Sequence, residues 1–107
     1  MKESDERKSE QIRRLAGEFI QEESSGLSLI TVTRVGGDDH LRKATVFVTI
    51  LPESSEEEAL HFLKRKRGEF REHVKKHSRF KSIPFFDFEI DRGEKNRQRI
   101  DEISHEE

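Results

Sequence analysis

The chain has 107 residues, 21 Lys+Arg against 23 Asp+Glu for a net charge of -2, and no Cys, Trp or Tyr. It fits one small domain, leaves little room for a second, and excludes a disulfide framework, a thiolate metal site and a cysteine nucleophile. Charged residues make up 41% and hydrophobic ones 30%, yet 28 positions are Leu, Ile, Val or Phe, more than the ~20% below which highly charged chains stay unfolded, so a thin core is expected.

Ile12, Leu15, Ala16, Phe19 and Ile20 follow the spacing of one buried helical stripe, with Arg13, Arg14, Glu18, Gln21 and Glu22 around the rest of the wheel. They predict a first helix that ends at the turn cluster Ser24, Ser25 and Gly26. Residues 27–35 (LSLITVTRV) are rich in β-branched side chains and stop at Gly36, Gly37, Asp38 and Asp39, the pattern of a strand entering a turn. Residues 42–51 read as a second strand, antiparallel to the first. It carries Ala44, Val46, Val48 and Ile50 on one face and Thr45, Phe47, Thr49 and Leu51 on the other.

After Pro52, Ser55 with Glu58, or Ser54 with Glu57, forms a capping-box pattern that starts a helix. Ala59, Leu63, Phe70, Val74 and His77 keep helical spacing. Gly68 interrupts them, at a cost of about 1 kcal/mol relative to Ala, so two helices are expected to meet near it, at a bend or a close approach. Residues 83–91 alternate Phe86, Phe88 and Ile90 with Phe85, Asp87, Glu89 and Asp91, a third strand with Pro84 at its start. Residues 92–107 read as a polar, partly mobile tail in which Ile100 and Ile103 can dock. The order α-β-β-α-α-β, with a helical crossover before the last strand, predicts an α+β domain over residues 1–91 with helices packed on one face of a three-stranded mixed sheet.

The near-neutral balance hides segregation. Residues 64–81 hold nine bases (Lys64, Arg65, Lys66, Arg67, Arg71, Lys75, Lys76, Arg79 and Lys81) against Glu69 and Glu72. Such a window repels itself unless something anionic is bound, which marks it as a surface for polyanions; a solvated helix face is the plainer alternative. Gly68 lets a phosphate approach the backbone while Lys66, Arg67 and Arg71 flank it and the other bases extend the contact. Such contacts set affinity and position and read little base sequence. Phe47 and Phe85 offer themselves for base stacking, as in RNA-recognition sheets. Asp87, Glu89 and Asp91 share the face of Phe85 and oppose phosphate there, so these rings are expected to pack under the tail or a helix edge.

His73 and His77 have the i, i+4 spacing of two metal ligands, but the run His73-Val74-Lys75-Lys76-His77 lacks the glutamate of H-E-x-x-H, and the surrounding cations disfavour a dication. They read as helix-surface histidines, and no metal is expected. The Gly36-Gly37 pair lacks the lysine and hydroxyl of a phosphate-binding loop, and no nucleophile, base and orienting group form an identifiable motif. No catalytic residue, no cofactor and no enzymatic activity are expected. The longest apolar stretches, such as residues 46–51, are too short to span a bilayer, and residues 1–10 lack the apolar segment of a signal or transit peptide. A soluble cytoplasmic protein with no membrane partner is expected.

Residues 27–33 (LSLITVT), 44–51 (ATVFVTIL), Gly68 with Arg71, 79–84 (RFKSIP) leading to Phe88 and Asp91, and 99–103 (RIDEI) resemble, in order and spacing, the ribosome-binding factor A family of bacterial small-subunit assembly factors. The resemblance implies a type II KH-like fold in which a helix-kink-helix with an Ala-x-Gly motif replaces the usual GxxG loop. That motif falls on Lys66-Arg67-Gly68, matched at the glycine and not at the alanine. Ser24-Ser25 and Asp38-Asp39 stand where the family commonly has Asp-Pro before the first strand and Ser-Pro in the turn after it. The resemblance further implies a monomeric, non-catalytic factor that binds small-subunit rRNA in precursor 30S particles and helps the 5' end region mature. The alternative is a protein-interaction module whose basic helices dock an acidic protein partner.

Overall fold

Helix α1 (Lys2–Glu23) buries the stripe that its spacing predicts: Ile12, Leu15, Ala16, Phe19 and Ile20 are all 4% exposed or less. The protein is described by a computed structural model over residues 2–24, 26, 28–37 and 42–105. Beyond α1 the order is β1 (Leu29–Gly37), β2 (Lys43–Leu51), a 3-10 turn (Glu53–Ser55), α2 (Glu56–Arg65), α3 (Arg67–His77), β3 (Phe85–Ile90) and α4 (Arg92–His105). The backbone N–H of Ser24 donates to Ile20 O at 2.8 Å, and Gly26 has φ 82°. That left-handed conformation carries no side-chain penalty at glycine and turns the chain from α1 toward β1.

The sheet order is β1-β2-β3, antiparallel between β1 and β2 and parallel between β2 and β3. The register of β1 shifts between Val32 and Arg34, a bulge at Thr33 that keeps Ile30, Val32 and Val35 toward the core while Arg34 faces the other way. Ala44, Val46, Val48, Ile50, Phe86 and Phe88 form the buried inner face. α1 lies over β1 and α3, and α2 and α3 bridge to β3. Phe70 of α3 is fully buried, its ring centroid 4.7 Å from Phe86, 5.4 Å from Phe19 and 5.7 Å from Phe88. Truncating such a ring costs about 3–5 kcal/mol, so this one side chain locks three elements together.

The helical crossover departs from the expected details in three places. Neither capping-box register forms: Ser55 makes no side-chain cap hydrogen bond, and the 3-10 turn, with Ser55 N–H donating to Pro52 O at 2.9 Å, satisfies the backbone instead. Glu56, Glu57 and Glu58 in the first turn of α2 suit its positive end. The break falls at Lys66, whose N–H is shared between Leu63 O at 3.0 Å and Phe62 O at 3.2 Å. Gly68 lies in the first turn of α3, where an added Cβ would meet nothing within 4 Å, so the bend is present but the chain makes no close approach there. Finally, His77 is exposed and does not continue the buried line; His73 is half-buried, 5.4 Å from the Phe19 ring.

The opposite face of the sheet carries Thr31, Arg34 and Gly36 of β1, Thr45, Phe47 and Thr49 of β2, and Phe85, Asp87 and Glu89 of β3. A Cβ on Gly36 would lie 3.2 Å from Phe47 Cε2, so glycine there makes room for the ring of Phe47 against β1. Asp91 Oδ1 accepts the backbone N–H of Glu94 at 3.1 Å and starts α4, while Lys95 bridges Glu53 at 2.8 Å and Glu56 at 3.0 Å. Ile100 is 62% exposed and does not dock; the side chain of Ile103 lies outside the described residues. Among the described residues no helix is long and apolar enough to cross a membrane.

Candidate nucleic-acid interface

The break at Lys66 places the end of α2 and the start of α3 beside β3, which forms one margin of the sheet. Lys64 Nζ lies 2.9 Å and Arg67 Nη1 3.2 Å from Asp87 Oδ1, and the same oxygen accepts the backbone N–H of Phe88 at 2.8 Å. Burial pushes the Asp87 carboxyl up, but the hydrogen bonds from Lys64 and Phe88 and the charges of Lys64 and Arg67 outweigh it and hold the group below its ordinary value. Arg67 Nε also donates to Lys64 O at 2.9 Å, across the break. Lys66 reaches Glu69 at 3.2 Å and Glu23 at 3.8 Å and lies over the Phe62 ring.

Arg71 is a brace. Its Nε donates to Pro84 O at 3.1 Å and its Nη2 to Ile83 O at 3.0 Å, tying α3 to the segment that leads into β3. The guanidinium sits 4.6 Å from the centroid of the Phe85 ring. The other five bases, Arg65, Lys75, Lys76, Arg79 and Lys81, are exposed, and none makes an ion pair among the described residues. Lys75 and Lys76 close α3, Arg79 and Lys81 follow on the connection to β3, and Arg65 ends α2 at the rim of a cleft of about 220 Å³ floored by Ile30, Ala59 and Phe62. The connection itself is held to α1, where Lys8 donates to Ser82 O at 3.0 Å and lies over the Phe80 ring. The nine bases therefore do not form one uniform surface. Lys64, Lys66, Arg67 and Arg71 are engaged within the chain and five are open to solvent, while Gly68 is exposed in the first turn of α3, among the engaged bases.

Sequence reasoning missed a polar cluster on the outer face. Thr33 Oγ1 donates to Asp91 Oδ2 at 2.5 Å, Arg34 Nε lies 3.3 Å from the same oxygen, and the Arg34 guanidinium covers the Phe47 ring at 3.8 Å. The Thr33 hydrogen bond, joined by the Glu94 N–H and Arg34, holds the Asp91 carboxyl below its ordinary value against the opposing effect of burial. A bulge has no signature in the β1 sequence, so nothing there announced that Thr33 and Arg34 would meet a carboxylate 57 or 58 positions away. The expectation that Phe47 and Phe85 pack under the tail or a helix edge is corrected: Phe47 lies under Arg34, and Phe85 is 66% exposed.

The two histidines are not both surface groups. Their rings lie 4.4 Å apart, and His73 Nε2 is buried with no hydrogen-bond partner. Burial and the neighbouring His77 lower the His73 pKa, against the opposing pull of Glu22, Glu18 and Glu23 on α1. No group of three or more metal-ligating side chains gathers among the described residues.

The sequence model of the family described as ribosome-binding factor A matches residues 4–104. The chain belongs to that family. Ribosome-binding factor A of Thermodesulfovibrio yellowstonii is 36% identical over 80 residues, which cover 75% of this chain and 68% of that one. The crystal structure of ribosome-binding factor A from Thermus thermophilus superposes with a TM-score of 0.71 at 26% identity, covering 78% of this chain and 91% of that one. A homology model of the Thermus thermophilus ribosome binding factor A, fitted into a cryo-electron microscopy map of a 30S–RbfA complex, gives 0.66 at 26% identity, covering 75% and 87%. The α+β architecture described above, helices on a three-stranded mixed sheet, is the type II KH-like fold of ribosome-binding factor A. The family is one of non-catalytic assembly factors. In this member, Lys66 stands where the resemblance places the first residue of Ala-x-Gly, and its ammonium is turned to Glu69 and Glu23.

Proposed function

We propose that this chain is a non-catalytic assembly factor that binds the rRNA of precursor small ribosomal subunits and assists maturation of the 5' end region. The observation that carries the reading is the set of five exposed bases, with no ion pair among the described residues, at the end of α2, the end of α3 and the connection to β3 of a ribosome-binding factor A chain. Phosphate oxygens are the anions such a set would meet along an RNA strand, and neutralising them releases counterions. The relative in the 30S–RbfA complex supports the small subunit as the particle concerned. Lys64, Lys66, Arg67 and Arg71 hold the helix break in shape, and Arg65, Lys75, Lys76, Arg79 and Lys81 face the phosphates.

Five phosphate contacts predict a log-log salt slope of about -3.5 on single-stranded RNA. Reversing Lys75, Lys76 and Lys81 to Glu removes free charge without touching an internal partner. The variant is expected to keep the wild-type circular dichroism and to lose co-sedimentation with precursor subunits. Undiminished co-sedimentation would overturn the reading. For the processing role, depletion of the protein in its host should raise the fraction of small-subunit rRNA with an immature 5' end, read by primer extension, and the triple variant should fail to restore it.

A further inference from the structure

We propose that Phe85 is a stacking platform for one unpaired nucleobase, with Arg71 fixing the ring from behind. The inference rests on the rRNA reading above and names how the interface receives a strand.

Phe85 is the most exposed large hydrophobic residue among those described, at 66%, although leaving a phenyl ring in water is unfavourable. The ring is held in place all the same. Phe85 opens β3, with its N–H donating to Arg42 O at 3.0 Å, and the Arg71 guanidinium 4.6 Å from its centroid is itself fixed by the carbonyls of Pro84 and Ile83. A ring so oriented loses little freedom when a base stacks on it, and the cation behind it favours the sandwich. Phe47 on the same sheet face also carries a guanidinium, that of Arg34, but it is half-buried and leaves less ring surface for a base.

The surroundings suit a base with phosphates on either side. Lys43, exposed, lies beside Phe85 in the parallel register. The carboxylates that count against RNA on this face are compensated: Asp87 is held by Lys64 and Arg67, and Asp91 is buried against Arg34 and Thr33. Glu89 lies four strand positions along, about 13 Å away. Arg71 is one helical turn beyond Arg67, so a strand running past the helix break brings a base within reach of Phe85. A base inside an A-form helix has both faces stacked already, and the platform therefore selects single-stranded segments.

The test compares a single-stranded oligoribonucleotide of about ten residues, enough to span one such groove, with its abasic counterpart, which keeps the phosphates. Wild type is expected to bind the base-bearing oligomer about tenfold more tightly, the lower part of the range for one base on one aromatic ring. Phe85→Ala and Phe85→Leu should erase that difference, leaving abasic binding and the salt slope unchanged. The chain has no tryptophan, so Phe85→Trp introduces a single indole whose emission should be quenched by the base-bearing oligomer alone. Equal wild-type affinity for the two oligomers, equal losses on both in Phe85→Ala, or an unquenched indole would overturn the platform while RNA binding stood. Absence of binding to either oligomer would strike the rRNA reading itself. A Phe85→Ala chain that binds both oligomers like wild type yet leaves precursor subunits would assign the ring to a protein contact and overturn the inference.

Discussion

Arg71 and Lys75 lie one turn apart on α3 and carry the same charge, yet one closes two backbone carbonyls and the other faces water. Counting charges along the sequence located the basic window but treated these two alike, because the carbonyls of Ile83 and Pro84 reach Arg71 only after the chain has turned. His73 shows the same limit at a buried position. Helical spacing placed it among surface groups, whereas its Nε2 is buried without a partner beside Phe19 and His77. Its pKa is lowered in the folded chain, so the unfolded chain takes up this proton more readily. The stability it contributes is fully present above the unfolded value near 6.5 and is lost as the pH falls through the folded value. The urea midpoint should therefore decline on acidification from neutral to about pH 5. His73→Phe, which keeps a ring beside Phe19, should flatten that decline.

At the scale of elements, α1 and the two faces of β2 were legible because one period serves one environment: a helical stripe on α1 and strict alternation on β2. The helix break was legible as well, through Gly68, although the distorted backbone falls two residues earlier at Lys66. Capping chemistry was not, since a 3-10 turn replaces the Ser side chain at the start of α2. Gly68 has an open surround and a negative φ, so Gly68→Ala should raise stability by about 0.5–1 kcal/mol in chemical denaturation. If the exposed backbone there meets phosphate, the same methyl group should weaken binding to precursor subunits. A variant that is more stable and binds less well separates the glycine's folding cost from its use.

For the molecule as a whole, the α-β-β-α-α-β order made a mixed sheet legible, since a helical crossover permits the parallel pairing of β2 with β3. What joins the sheet to α4 was invisible. Asp91 caps α4, receives the Thr33 hydroxyl from the bulge and holds Arg34, uniting the β3–α4 junction with a segment of β1 far away in sequence. Its folded pKa is lowered, so its contribution is present above about pH 4 and is lost as the pH falls through the folded value. Asp91→Ala should cost about 2 kcal/mol at neutral pH, combining a cap with a charged hydrogen bond. Thermal melts should show a shallower acid dependence below about pH 4 in the variant than in wild type.

The arrangement around Asp87 also bears on how these molecules behave in a crowd. Phe85 and Asp91 direct their N–H groups to β2, so by the two-residue period that of Phe88 points off the free margin of the sheet, where the Asp87 carboxylate takes it. A stray strand from another copy would have to pull that carboxylate away from Lys64 and Arg67 before it could zip on. The Phe88 position on the outer rim of β3 is thus blocked, which interrupts cross-β templating along that margin.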